Sequence, residues 1–236
     1  MNNIPPPLPR REPGTPAVRP KDAATLMIYE KVGGKVQVLM GERNSRHRFM
    51  PKRYVFPGGR IDSGDSRIRI ATPMPAHVDA QLQRKLSAAR ARAMAVAAVR
   101  ETFEESGLII GATDPKPGNH VPGDWRDFFA TGMAPALDKL VYIARAVTPP
   151  HRPLRFNARF FMIDARHVEG SLAGSGELLR QRWFPIEEAR GLELAGITQR
   201  VLLLIEDLLA DPLPKRPDEP VPYFKHMGDY HLRIDE

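Results

Sequence analysis

The chain has 236 residues, of which 42% are apolar and 27% charged, and its formal net charge is +7. This length allows one elaborated domain or two small ones, and the apolar content is enough for a hydrophobic core. The absence of cysteine excludes disulfides, thiolate metal sites and a cysteine nucleophile. The sequence has no apolar run of about 18 residues and no signal-type segment in its proline-rich start, so we expect a cytoplasmic protein with no membrane partner.

The positive charge predicts affinity for anionic ligands, which are either nucleotides or nucleic acid. The sequence shows no aromatic-basic interleaving of RNA-binding type and no helix-turn-helix signature. We therefore expect a small anionic molecule as ligand and do not expect nucleic-acid binding.

The first part of the chain predicts an extended arm followed by strands. Residues 1–22 contain seven prolines and predict the arm. Residues 23–32 and 35–41 are typical of two strands joined by a hairpin turn at Gly33 and Gly34. A basic loop over residues 43–53 precedes a short strand at 54–56, which is expected to run into a loop formed by Pro57, Gly58 and Gly59.

The middle of the chain predicts two helices, over residues 76–86 and 88–106. Ser87 is a suitable N-cap for the second helix, and Gly107 is placed where a helix ends on a left-handed residue. Residues 111–124 contain three prolines and three glycines and predict a loop.

Strands are predicted at 140–147, at 158–163 and within 177–184. A helix is expected to start at residue 185, and residues 198–209 have the pattern of an amphipathic helix. We expect residues 23–210 to form the main domain, and residues 211–236 to form a proline-rich tail that packs back on it through its aromatic residues. Strands on both sides of helices predict a mixed sheet flanked by helices, which is an α/β/α sandwich.

Three carboxylates on the second helix form a candidate metal site. Glu101, Glu104 and Glu105 share one face, because they occupy positions i, i+3 and i+4. Like charges at this spacing repel, and Mg²⁺ or Mn²⁺ would offset the repulsion since hard cations prefer oxygen ligands. The alternative is a solvated helix face. Gly58 and Gly59 could bring bare backbone close to a metal or a phosphate, and we hypothesise that both pieces form one metal-diphosphate site.

These residues resemble the signature of the Nudix hydrolases, G-x5-E-x7-R-E-U-x-E-E-x-G-U, in which U is a bulky apolar residue. Asp65 stands where the family has its first glutamate, and Thr102 stands at a bulky position. Residues 66–99 separate the two halves of the signature, whereas the family has seven residues there. An insertion at this point, assigned to residues 66–92, resembles the branch of peroxisomal coenzyme A diphosphatases. The matching positions are Gly59, Arg100, Glu101, Glu104, Glu105, Gly107 and Leu108.

The resemblance implies a hydrolase in which water attacks one phosphorus of a diphosphate bridge, with Mg²⁺ or Mn²⁺ as cofactor. Arg100 would orient the carboxylates by ion pairing, and the base would be Glu101 or Glu177. Asp65 is either a structural turn residue or a group near the metal. The metal ligands that the resemblance implies are the carbonyl of Gly58 and the carboxylates of Glu101, Glu104 and Glu105.

Coenzyme A or an acyl derivative is the substrate that the resemblance favours. The alternatives are ADP-ribose, dinucleotides or nucleotide sugars, or a Nudix module that senses a nucleotide without cleaving it. The insertion could bind an additional phosphate of the substrate, lengthen the helix or support a homodimer. Candidate phosphate contacts, with exposed surface positions as the alternative, are Arg43, Arg48, Arg155 and Arg159.

Overall fold

The computed structural model describes residues 10–46, 49–113, 121–173, 175–212, 216–227 and 230–235. The strands are β1 Lys21–Val32, β2 Lys35–Arg43, β3 Tyr54–Val55, β4 Gly58–Arg60, β5 Gly111–Thr113, β6 Met133–Pro135, β7 Val141–Val147, β8 Phe156–Asp164, β9 Leu178–Pro185, β10 Pro222–Met227 and β11 Tyr230–Asp235. The helices are α1 Ala76–Gln83, α2 Ala88–Ser106, α3 Arg126–Ala130, α4 Ile186–Arg190 and α5 Gly196–Ala210. Among these described helices, none has the length and apolarity needed to cross a membrane.

A mixed sheet with helices on both faces confirms the predicted α/β/α sandwich. The main strand order is β11-β10-β7-β8-β1-β2-β3, with β4 paired to β1 and β9 paired to β2. β1 runs parallel to β8 and antiparallel to β2. Successive side chains of β1 alternate between the two cores, because Leu26 and Ile28 pack with α2 whereas Met27 packs with α5.

Helix α2 has the predicted bounds and the predicted caps. The Ser87 side chain accepts a hydrogen bond from the Arg90 amide, and Gly107 ends the helix with a φ of 75°. The alanines and valines of the helix from Ala91 to Val99 are buried against the sheet, which leaves its last two turns to carry the signature carboxylates next to β1 and β4.

Two segments differ from the predicted loops. Gly58 and Gly59 belong to β4, which pairs with β1 so that Gly58 lies opposite Thr25. A Cβ atom at Gly58 would lie 2.5 Å from the carbonyl oxygen of Ala24, so the close pairing requires glycine. Residues 111–113 form β5, which pairs with β6, whereas residues 114–120 lie outside the described part of the chain.

The C-terminal segment extends the main sheet. β10 pairs in parallel with β7, and β11 pairs with β10. Phe224 is buried in the core that packs against α5. The described part of the predicted tail therefore packs on the domain, as its aromatic residues indicated, and it does so as strands.

Candidate functional site

A buried arginine organises the acidic end of α2. Arg100 is 3% exposed. Its Nε and Nη2 atoms donate to the two oxygens of Asp65 at 3.0 and 3.1 Å, and its Nη1 atom donates to Glu101 at 3.0 Å and Glu104 at 3.1 Å. Nη2 also donates to the carbonyl of Arg60 at 2.8 Å. Burial alone lowers the pKa of Arg100, but the hydrogen bond to Asp65 and the surrounding carboxylates outweigh it, so the net pKa is raised.

Asp65 binds the guanidinium of Arg100 from outside the cavity. It is fully buried and also accepts from the amide of Asp62 at 2.8 Å and from the indole Nε1 of Trp125 at 3.1 Å. Asp65 is not among the described residues that line the cavity of the site. The structure thus places it as the partner that orients Arg100. No local pattern in the sequence predicts the hydrogen bond from Trp125 to Asp65.

Glu105 is attached to the backbone of β4. Its Oε2 atom accepts the amide of Gly58 at 2.8 Å, and the Gly58 carbonyl accepts from Arg43 Nη2 at 3.2 Å. Gln181, which the sequence analysis missed, donates to the carbonyl of Glu105 at 2.6 Å. Burial raises the pKa of Glu105 to about 8, although the charge of Arg43 and the bond from Gly58 oppose the shift.

Glu101 lies directly against Gly59. A Cβ atom at Gly59 would be 2.4 Å from its carboxylate. Burial raises the pKa of Glu101 to about 7, with the charge of Arg100 opposing and that of Glu104 adding to the shift. Burial also raises the pKa of Glu104, whose side chain is more open, at 35% exposed.

A cavity of about 600 Å³ brings most of these groups together. Its lining contains both polar and apolar residues. Glu104 is not among the described residues that line it. We call the group formed by Arg43, Gly58, Gly59, Glu101, Glu105 and Glu177 the polar wall. The apolar residues, which we call the apolar wall, include Phe49, Met50, Leu154, Phe156, Phe160 and Ile197. Further polar residues that line the cavity are Thr25, Arg60, Thr148, Arg152 and Thr198.

The four candidate substrate arginines have different positions. Arg43 lines the cavity, and Arg48 lies outside the described residues. Arg155 donates to the carbonyls of Thr148 and Val18 at 2.9 and 2.7 Å, and neither Arg155 nor Arg159 is among the described residues that line the cavity.

Arg159 is not an exposed strand residue, which was the alternative to a phosphate contact, because its relative exposure is 1%. It lies on β8, which is an interior strand between β7 and β1. Its Nη1 atom donates to Asp22 and to the carbonyl of Asn157, each at 3.4 Å.

The donors of the site suit a hard divalent cation. Within the described residues, no three His, Cys, Asp or Glu side chains converge as a formed metal centre. However, the Glu101 and Glu105 carboxylates line the same cavity next to the bare backbone of Gly59. Burial raises the pKa of both carboxyl groups, and the charges of Arg100 and Arg43 oppose this shift only in part. Carboxylate and carbonyl oxygens are the ligands of Mg²⁺ and Mn²⁺.

No family model matches the chain. A putative Nudix hydrolase 7 of Caenorhabditis elegans is 26% identical over 186 residues, which are 75% of this chain and 55% of that protein. The chain therefore spans about half the length of this curated relative. The crystal structure of a Nudix hydrolase from Alicyclobacillus acidocaldarius is 25% identical, with a TM-score of 0.63, over 81% of this chain and 96% of the other.

The comparisons agree with the geometry of the site. The relative and the solved structure both carry the Nudix name, and the signature residues that the sequence divides into two halves meet in space at β4 and α2. The chain has the Nudix fold, and its sequence and structure both support the Nudix hydrolase family.

Proposed function

We propose that the chain is a metal-dependent hydrolase that cleaves the diphosphate bridge of a nucleoside diphosphate derivative. The observation that carries the proposal is a pair of buried carboxylates, Glu101 and Glu105, which lie on one cavity wall against Gly58 and Gly59. Arg100 holds Glu101 through a direct ion pair. The similarity to proteins named Nudix hydrolases supports the same reaction class.

The residues divide into holding and orienting roles. Glu101, Glu105 and the carbonyl of Gly58 would hold Mg²⁺ or Mn²⁺, which when bound neutralises the diphosphate and activates water. A carbonyl oxygen has two lone pairs, so the Gly58 carbonyl can bind a cation while it accepts the hydrogen bond from Arg43. Glu104 is paired with Arg100 on the open side of the site and would act as a further ligand, directly or through water.

Proton transfer can be assigned to a glutamate of the cavity. Glu101 is one candidate base, because its carboxylate lines the cavity where the diphosphate is placed. Glu177 is the alternative base, because it is exposed and lines the same cavity. Arg43, on the polar wall, would offset the negative charge of the substrate.

We propose coenzyme A or an acyl derivative as the substrate. The support is the combination of a polar wall for the diphosphate with an apolar wall for a long non-sugar moiety. The resemblance of the split signature favours the same substrate. ADP-ribose, dinucleotides and nucleotide sugars are the competing compounds.

A substrate panel tests the proposal. Coenzyme A, acetyl-coenzyme A, ADP-ribose, a dinucleotide and a nucleotide sugar would be incubated with Mg²⁺ or Mn²⁺, and we expect release of adenosine 3′,5′-bisphosphate from the coenzyme A compounds. Glu105→Gln should lower kcat/KM by about 100-fold or more, whereas Glu187→Gln, at an exposed position of α4, should not. Hydrolysis of another compound alone would replace the substrate, and binding without hydrolysis would indicate a sensing module.

A further inference from the structure

A second, strongly basic groove lies beside the catalytic cavity. Its volume is about 690 Å³, and seven of the fourteen residues that line it are Arg or Lys, whereas one, Asp22, is acidic. The two cavities share Arg60 and Val147 as lining residues. Seven like charges around one cavity repel each other and concentrate positive potential there, which favours an anionic occupant.

Asp22 arranges the cations of this groove. One of its oxygens accepts from Arg90 Nε at 2.8 Å and lies 2.7 Å from Nη2 of the same side chain. The other accepts from Asn157 at 2.8 Å and from Arg159 Nη1 at 3.4 Å. Asn157 in turn accepts from Arg145 Nε at 2.9 Å. A single carboxylate therefore fixes three arginines in position, directly or through one amide, without neutralising them.

The segment inserted into the signature forms one side of the groove. Lys85 and Leu86 precede α2, and Arg90 lies in its first turn. The amino-terminal end of a helix carries a partial positive charge, which adds to the charges of Lys85 and Arg90. The C-terminal strand β10 forms another side, where Tyr223 lies under the guanidinium of Arg145 at 4.7 Å.

Strand β4 connects the groove to the catalytic cavity. Gly58 belongs to the metal-diphosphate wall and Arg60 lines both cavities, so two residues of extended strand, about 7 Å, separate the two positions. The backbone of Arg60 is held by Arg100, while its side chain is exposed. One ligand can therefore contact both places at once.

We propose that this groove binds a phosphate monoester that the substrate carries in addition to its diphosphate. The proposal rests on the proposed function, because it places the diphosphate at Gly58 and the additional phosphate beyond Arg60. Lys85, Arg90 and Arg60 supply the contacts, since charge-assisted hydrogen bonds from such side chains to phosphate are short and strong. The insertion thus selects phosphorylated nucleotides over their unphosphorylated counterparts.

Equilibrium binding tests the groove without depending on hydrolysis. Calorimetric titration of the full chain would compare adenosine 3′,5′-bisphosphate and 2′,5′-bisphosphate with adenosine 5′-monophosphate. We expect at least one bisphosphate to bind about tenfold tighter or more than the monophosphate. Lys85→Ala/Arg90→Ala should remove this preference, whereas Arg67→Ala, an exposed arginine of the same insertion that does not line the groove, should keep it.

Three results would overturn the proposal. In the first, the bisphosphates bind no tighter than the monophosphate. In the second, the double variant keeps the preference for the bisphosphate, as Arg67→Ala does. In the third, inorganic phosphate binds as tightly as the bisphosphates. Kinetics give a second reading, because the ratio of kcat/KM for coenzyme A to that for dephospho-coenzyme A should fall in the double variant. Should none of these compounds be hydrolysed, the proposed function fails while the titration still decides the groove.

Discussion

At the scale of single residues, the pairing of Asp65 with Arg100 is the contact on which the acidic site depends. Both side chains are buried, and they share two hydrogen bonds of 3.0 and 3.1 Å. Arg100 cannot lose its charge, since its pKa is raised by these partners. Asp65 therefore maintains the orientation of Arg100 toward Glu101 and Glu104, and it does so from outside the cavity.

We predict that Asp65→Ala lowers the free energy of unfolding by about 3–5 kcal/mol, because it leaves a buried guanidinium without its main partner. Urea unfolding of the metal-free protein measures this loss. Asp207→Ala removes an equally charged but exposed side chain from α5 and should change stability by less than about 0.5 kcal/mol. Equal effects of the two substitutions would contradict the assigned role of Asp65.

The pKa values of Glu101 and Glu105 predict a pH dependence. Burial raises them to about 7 and about 8, whereas glutamate in an unfolded chain has a pKa of about 4.3. Between about pH 4.3 and pH 8 the unfolded chain has released these protons, but the folded metal-free protein still binds them. The free energy of unfolding therefore falls as the pH rises through this window.

Thermal unfolding at about pH 6 and about pH 8, with a chelator or with Mn²⁺, checks this dependence. The metal-free protein should be less stable at the higher pH, by roughly 2–4 °C in Tm for each kcal/mol lost. Mn²⁺ should stabilise more strongly at the higher pH, since bound carboxylates must be deprotonated. Glu101→Gln/Glu105→Gln should abolish both effects, and a metal effect that is the same at both pH values would refute the explanation.

At the scale of elements, the site is the junction of α2 with β4. Gly59 has no Cβ where one would lie 2.4 Å from the carboxylate of Glu101. The neighbour is the end of a flexible side chain, so a methyl group there would displace the carboxylate rather than the backbone. We therefore expect glycine at position 59 to matter for function more than for folding.

Gly59→Ala should therefore lower kcat/KM by about 100-fold while the far-ultraviolet circular dichroism of the protein stays unchanged. Gly123→Ala is the matched control, because a Cβ atom at Gly123 meets nothing within 4 Å. An active Gly59→Ala variant would show that the Glu101 carboxylate can leave this position without loss of function.

The elements that the sequence predicts well are those with local signals. Helix α2 follows from the Ser87 cap, the alanine-rich interior and Gly107, all of which lie within or beside the helix. Strands β4 and β5 are only three residues long and are defined by their partners, so no pattern within them is sufficient.

The candidate site shows the same division between local and distant signals. The carboxylates of α2 could be identified from their spacing and from the family signature. The bond between Trp125 and Asp65 joins residues 60 positions apart, and the burial of Arg159 results from the place of β8 inside the sheet. Such contacts depend on chain topology, which a single sequence does not show.

At the scale of the whole molecule, the C-terminal segment connects the sheet to α1. Arg84, just after α1, donates to the carbonyls of Pro217 and Glu219, and Gln81 donates to the Glu219 carbonyl at 3.2 Å. Further along, β10 pairs with β7. Helix α1 is therefore attached to the domain from two sides, through α2 and through the C-terminal segment.

Removing residues 213–236 should loosen α1, because it removes the carbonyl acceptors of Arg84 and Gln81 together with both terminal strands. We expect faster hydrogen exchange in α1 and in β7, with little change in β2, which lies on the other side of the sheet. Unchanged exchange in α1 after the truncation would show that α2 alone holds α1 in place.

Phe224→Ala gives a milder test of the C-terminal strands that keeps the chain length. Burial of Phe224 predicts that the free energy of unfolding falls by about 3–5 kcal/mol, against less than about 1 kcal/mol for Leu203→Ala at a position that is 46% exposed.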